Sequence, residues 1–161
     1  MTKDSKIKIV EFDPKYTDAV DAIEIAEWYY LPPTQKNIDA GMVYRVALED
    51  DKVVGAAYGR KIGDLFVLDT CIVEKEYRGT PTGFHLSMSL LEYAKEQGCS
   101  NLVVELLVNG DTRTEKVMRR FGFKEVLRVK GWWKCDTEDP CKRCGGNPCD
   151  CVCVFFLKEL K

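Results

Sequence analysis

Long apolar runs are missing from this sequence. The longest, such as VVELLV and VFFL, are far too short to span a bilayer, which excludes a chain that crosses a membrane by helices. No basic block stands out and the formal net charge is −2, so neither nucleic acid nor a membrane surface is an expected partner. The opening stretch MTKDSKIKIVEF lacks the apolar core of a signal peptide, so the expected location is the cytoplasm, with thiols reduced. No segment repeats, which excludes a repeat architecture. There is one histidine, His85, and it stands inside a helical pattern, where it reads as structure rather than catalysis. What is abundant is cysteine: eight in 161 residues, six of them in the last 27. Otherwise 45% hydrophobic and 31% charged residues describe an ordinary globular chain, long enough for one domain with one sizeable core.

Periodicity predicts the order of elements. KIKIVEF alternates like a half-buried strand. PKYTDAVDAIEIAEWYYL spaces Ala19, Ile23, Ala26 and Tyr30 as one helical face, with Thr17 or Asp18 as N-cap, until LPPT breaks it. YRVALED and KVVGAAYGRK form a hairpin around Asp50-Asp51, and LFVLDTCIV is a third strand. The turn YRGTPTG leads into a helix, FHLSMSLLEYAKEQG, with Leu86, Leu90 and Ala94 on one face and Gly98 as its stop. NLVVELLV is a central strand with a glutamate inside it. A helix capped by Asp111 or Thr112 turns Val117 and Phe121 inward, and strands KEVLRVKGWWK and CVCVFFLKEL end the chain. The order predicts a mixed α/β (α+β) fold in one domain, residues 1–161, interrupted by a cysteine-rich insertion at 135–151.

Strand, Gly-rich turn and helix together can hold a phosphate. Free N–H groups at a helix N-terminus and the helix dipole attract an anion, and Arg78 adds charge at the same place. The turn Tyr77-Arg78-Gly79-Thr80-Pro81-Thr82-Gly83, its place after a three-strand meander, and the later Gly122-Phe123 resemble the GNAT superfamily of acyl-CoA-dependent N-acyltransferases, over roughly residues 5–134 and again in the last strand. That resemblance implies a GNAT-like fold and acetyl-CoA as co-substrate, with acyl transfer to an amine acceptor by direct attack. It further implies that Arg78, Gly79, Thr80, Thr82 and Gly83 hold the pyrophosphate, and that Cys71, Ile72 and Val73 pair their backbone with the pantetheine arm. A backbone N–H near Val73 would polarise the thioester carbonyl. Asp111 falls where the family often has an asparagine on the pantetheine arm, and Asn109 could serve there if the loop is longer.

Removing the ammonium proton needs a base. Asp69, on the cofactor strand, and Glu105, on the next strand, are the catalytic candidates. Besides Asp111, two positions depart from the family pattern. Pro81 replaces a glycine and removes one N–H, worth about 1.5–3 kcal/mol toward a charged group. Met118 stands where many members carry a tyrosine that protonates the leaving thiolate, and methionine cannot do so. A second reading is therefore a protein of this fold with weak or no catalysis, using CoA or its cysteine loop to dock a partner. Trp28, Tyr29, Tyr30, Trp132 and Trp133 either flank the acceptor cleft or serve as core or homodimer contacts.

In CDTEDPCKRCGGNPCDCVC, the run Cys141-Lys142-Arg143-Cys144-Gly145 has the C-x-x-C-G form of a zinc knuckle. Tetrahedral zinc needs four ligands. Cys141 and Cys144 with two of Cys135, Cys149 and Cys151 supply them, and Cys153 reads as buried in the last strand. Disulfides or another metal remain alternatives. Cys71 and Cys99 stand alone and read as core residues.

Overall fold

The computed structural model describes residues 6–27, 33–109, 113–133 and 140–161. Alternating or continuous apolar runs become strands β1 (Ile7–Glu11), β2 (Val43–Glu49), β3 (Lys52–Ile62), β4 (Leu65–Val73), β5 (Asn101–Val108), β6 (Lys124–Lys130) and β7 (Val152–Glu159). Four helices lie between them: α1 (Thr17–Glu27), α2 (Thr34–Asp39), α3 (Thr82–Glu96) and α4 (Arg113–Arg120). The strands form one mixed sheet in the order β1-β2-β3-β4-β5-β7-β6. Asp50, at φ 54°, turns the β2–β3 hairpin, a backbone region that aspartate tolerates better than most residues. Parallel strands need a long crossover, and the one parallel pair, β4 with β5, is joined through α3. This is the mixed α/β architecture expected from the element order.

Both faces of the sheet are covered. On one, Leu86, Leu90, Leu91 and Ala94 of α3 pack on Ala47, Val54, Ala57, Phe66, Leu68, Leu102 and Val104. On the other, Val20 and Ile23 of α1 pack on Tyr44, Val46, Ala56, Tyr58 and Ile72. Each buried leucine or isoleucine is worth about 1.5–3 kcal/mol, so these two faces fix the sheet. Among the described residues, no helix is long and apolar enough to cross a membrane.

Several local expectations need correction. The buried face of α1 is Val20, Ile23 and Glu24, while Ala19 and Ala26 are exposed. The expected face is rotated because the sheet beneath takes a glutamate into its polar spot. Val117 and Phe121 do not point inward; they are 45% and 43% exposed. Helix α4 meets edge strand β6 through an ion pair, Glu115 with Arg128, and turns Met118 to the core instead. Helix α3 begins two residues earlier than expected, at Thr82, and β6 stops at Lys130 rather than running through the tryptophans. The short helix α2 has no apolar period and was not expected; its buried residues are polar, Thr34 and Asn37. Trp28, Tyr29, Tyr30, Asp111, Thr112 and Cys135 lie outside the described residues.

Candidate functional site

The register of β4 creates an opening in the sheet. Tyr58 pairs with Thr70 and Gly59 with Leu68, so Asp69 has no partner on β3 and forms a bulge. Gly59 is required beside it: a Cβ there would stand 2.2 Å from the Val67 carbonyl oxygen. The extra residue also exchanges the faces of the strand. Phe66 and Leu68 lie under α3, whereas Ile72 joins the core beneath α1.

Pairing between β4 and β5 ends where the bulge begins. It runs from Leu65↔Asn101 to Leu68↔Val104 and no further, while β5 continues on β7 to Val108↔Val152. From Asp69 onward the two strands splay. Cys71, Ile72 and Val73 still pair with Ala57, Ala56 and Gly55 on one edge. No described strand pairs their other edge, which leaves a row of backbone groups open to a ligand. The Cys71 thiol turns toward α3 and donates to the Gly83 carbonyl at 3.3 Å.

Asp69 and Glu105 come together at the mouth of this splay. Both are half-buried, and one Asp69 oxygen is buried with no hydrogen-bond partner among the described residues. Burial raises the pKa of Asp69, against the opposing charge of Arg60. Burial also raises that of Glu105, and the nearby Asp69 carboxylate raises it further, opposed by a hydrogen bond from Trp132. A carboxylate whose proton affinity is raised in this way is a stronger general base than a solvated one. Trp132 itself is half-exposed and stands edge-on to Phe155, with ring centroids 5.1 Å apart.

A third carboxyl was missed by the sequence reading. Glu24 is 1% exposed, and neither of its oxygens has a hydrogen-bond partner among the described residues. Burial, then the neighbouring Asp21, raise its pKa to about 7, opposed by the Tyr58 hydroxyl. Its only sequence signal is its place four residues after Val20, on the face that α1 buries.

The turn before α3 keeps part of its expected anion cradle. Gly79 sits at φ 78°, a conformation that favours glycine. Pro81 takes the N-cap position with an ordinary φ of −67°, so it starts the helix without distortion. The Thr80 and Thr82 N–H groups have internal partners, the Tyr77 carbonyl and the Thr80 hydroxyl, each at 3.4 Å. Four free donors were expected at Gly79, Thr80, Thr82 and Gly83, and two of them are engaged in this way. Gly83 and Phe84 carry the orphan N–H groups of the first helical turn. The Arg78 guanidinium reaches across to the carboxylate of Glu27 on α1.

The cysteine segment brings four of its thiols to one point. The sulfurs of Cys141, Cys144, Cys149 and Cys151 all lie within 4.8 Å of one another. Cys141 Sγ is 3.7 Å from Cys151 Sγ, and Cys144 Sγ is 3.8 Å from Cys149 Sγ. A disulfide needs about 2.05 Å. Four sulfurs placed tetrahedrally about 2.3 Å from a single metal stand about 3.8 Å apart, which these spacings match.

Donors converge on the same sulfurs. Backbone N–H groups of Arg143, Gly146, Asp150 and Cys151 approach sulfur at 3.3–3.4 Å, and the Asn109 amide reaches Cys151 Sγ at 3.2 Å. Asn109 therefore faces the cysteine cluster. Burial opposes ionisation of Cys141, but the Cys144 and Arg143 N–H groups outweigh it and bring the thiol down to about 6. Asp150 and Gly146 lower Cys144 in the same way, while burial raises Cys149 and Cys151. Of the remaining cysteines, Cys153 and Cys99 are buried, and Cys71 is exposed, not a core residue.

Comparison with known proteins accords with this architecture. No curated protein matches the sequence. The fold is that of a ribosomal-protein-S18-alanine N-acetyltransferase from Escherichia coli, at TM-score 0.74 and 13% identity, covering 96% of this chain and 94% of that one. An aminoglycoside 6′-N-acetyltransferase complexed with coenzyme A is similar at TM-score 0.73 and 15% identity, over 96% and 97%. A GNAT acetyltransferase from Elizabethkingia anophelis with acetyl-CoA bound gives 0.71 and 16%, over 96% and 99%. The model of the acetyltransferase (GNAT) family matches residues 9–123, from β1 through the splayed strands to the end of α4. On that match, over most of its length, this chain belongs to the GNAT family of acetyltransferases.

Proposed function

We propose that this protein transfers an acetyl group from acetyl-CoA to an amine by direct attack, in a single domain spanning residues 1–161. The observation that carries the reading is the splay at the Asp69 bulge, with two perturbed carboxyls at its mouth and an open backbone edge leading to the α3 turn. The free edge of Cys71, Ile72 and Val73 pairs with the pantetheine arm, and Asp111, which stands where the family often has an asparagine, contacts the same arm. The turn of Arg78, Gly79, Thr80, Thr82 and Gly83 takes the pyrophosphate. Glu105, coupled to Asp69, accepts the ammonium proton. The freed nitrogen pair then attacks the thioester carbon, the C–S bond breaks, CoA leaves as thiolate, and the second nitrogen proton passes to that thiolate or to water. A backbone N–H near Val73 stabilises the oxyanion between these events.

The cysteine insertion, residues 135–151, holds a structural zinc through Cys141, Cys144, Cys149 and Cys151. An all-thiolate site is closed and takes no part in transfer. Cys135 is not needed to complete it. A second reading, weak catalysis with CoA or the knuckle docking a partner, has one observation in its favour. Met118 packs between the two core clusters on this side of the sheet and offers no proton to the thiolate.

Calorimetric titration with acetyl-CoA, beside Arg78→Glu, tests the binding half of the proposal. Micromolar binding that weakens at least tenfold in the variant is expected; no binding, or unchanged binding, overturns it. Release of free CoA over a panel of amines tests the chemical half. Binding without release for any amine favours the second reading.

A further inference from the structure

Glu27 stands at a junction that neither acyl transfer nor metal binding requires. It is the last described residue of α1, and each of its carboxylate oxygens serves a different guanidinium. One oxygen accepts from Arg78 in the turn before α3, and the other accepts from Arg143 at 2.5 Å. Arg143 and its neighbour Lys142 are the two residues between Cys141 and Cys144. Lys142 also donates to the Ile25 carbonyl at 3.0 Å.

We infer that the cysteine knuckle positions Arg78 through Glu27, so that a metal held by the four thiols tightens the binding of acyl-CoA. The inference rests on the pyrophosphate role proposed above for Arg78. With Cys141 and Cys144 turned to one point, the intervening Lys142 and Arg143 reach onto α1, and a shared metal would fix the turn that carries them. Arg143 then holds one oxygen of Glu27, which leaves the other fixed toward Arg78. The Glu27 side chain is only 17% exposed, so these pairs are shielded more than ordinary surface ion pairs, which contribute little. A guanidinium has five N–H donors, so the single one given to Glu27 leaves Arg78 able to meet a diphosphate. An arginine held in one orientation loses less freedom on binding than a mobile one.

Metal and acyl-CoA then occupy separate sites that favour each other. Coupling of this kind is reciprocal: the factor by which metal tightens acetyl-CoA equals the factor by which acetyl-CoA tightens metal.

The test is a double-mutant cycle on acetyl-CoA affinity, measured by calorimetry with zinc-loaded protein whose metal content is verified for each variant. Arg143→Ala is expected to keep its zinc and to weaken acetyl-CoA roughly 3- to 10-fold. Glu27→Ala is expected to do the same, although it removes a negative charge near a negative ligand, and Arg143→Lys is expected to restore part of the loss. In an Arg78→Ala background, the Arg143→Ala step is expected to change affinity less than about twofold. Zinc-depleted wild-type protein should match zinc-loaded Arg143→Ala, and acetyl-CoA should slow loss of zinc to a chelator in wild type but not in Arg143→Ala.

If Arg78→Ala itself leaves acetyl-CoA binding unchanged, the pyrophosphate role falls. If Arg78→Ala weakens binding while Arg143→Ala does not, that role stands and the positioning inference is overturned. Tighter binding in Glu27→Ala also overturns it, since Glu27 would then be competing for Arg78. So does an Arg143→Ala effect that persists without Arg78, because charge acting through space would explain it.

Discussion

The splay between β4 and β5 and the cysteine knuckle are both built to hold chemistry, but they are assembled at opposite scales. The knuckle collects four sulfurs from eleven consecutive residues, Cys141 to Cys151, and orients them with N–H groups from the same segment. The splay draws Asp69 from a bulge in β4, Glu105 from β5 across a parallel crossover, and Arg60 and Trp132 from strand β3 and the segment after β6. A local site depends on spacing. A dispersed site depends on register, and a single inserted residue decides it.

The largest expected effect breaks the comparison on the side of the splay. If Glu105 accepts the proton, Glu105→Gln lowers kcat by roughly 100-fold or more while acetyl-CoA affinity stays within a factor of about two. Asp69→Asn sharpens the point. Asp69's charge contributes to the raised pKa of Glu105, so its removal moves the low-pH limb of the kcat/KM profile to lower pH. The sign follows because the base works only when ionised, and the neighbouring carboxylate delays ionisation. A Glu105→Gln variant of undiminished rate, measured as CoA release, would assign proton transfer elsewhere.

Zinc removal comes next and probes the knuckle alone. The four sulfurs lie in the segment immediately before β7, which pairs with both β5 and β6. Loss of metal, or Cys144→Ser, is expected to lower stability by about 2–3 kcal/mol, a fall of roughly 5–10 °C in Tm for a chain of this size. Wild-type protein should carry one equivalent of zinc. Less than half an equivalent, with thiols oxidised in pairs, would sink the metal assignment.

What was legible in the sequence follows the same division of scale. The C-x-x-C-G spacing identified the knuckle because its geometry is carried by adjacent residues, and Cys141 and Cys144 do stand together with Cys149 and Cys151. The strand-turn-helix unit was legible because LFVLDTCIV and the 3.6-residue period of α3 are strong local patterns. The Asp69 bulge was not, because nothing in LFVLDTCIV marks the residue that will lack a partner; its only trace is Gly59 on another strand. Val117 and Phe121 look like an inward face, but β6 offers α4 an arginine rather than an apolar surface, and Glu115 takes it. In α1, the period correctly marked a helix and misjudged its face, since tertiary packing buried Glu24 in preference to Ala19 and Ala26.

The smallest effect on activity concerns α1, the helix that the knuckle contacts. Along one side of α1, Glu27 faces the knuckle's Arg143 while Glu24 is buried over Tyr44 and Tyr58 of the sheet, with Asp21 as the other carboxylate beside it. Burial raises Glu24 from an ordinary 4.5 to about 7, so the folded chain binds this proton more tightly than the unfolded chain does. Its contribution to stability is therefore intact below about pH 4.5 and is lost as pH rises through about 7, amounting to about 3 kcal/mol. Glu24→Gln keeps the shape and removes the charge. It is expected to match wild type near pH 4.5 and to exceed it by about 3 kcal/mol at pH 8, in urea unfolding followed across that range. Parallel pH–stability curves for the two proteins would mean that Glu24 is ionised and solvated in the native state. The same experiment keeps the two carboxylates of α1 apart: Glu24→Gln should leave the dependence of acetyl-CoA affinity on zinc intact, because that coupling runs through Glu27, one helical turn further along.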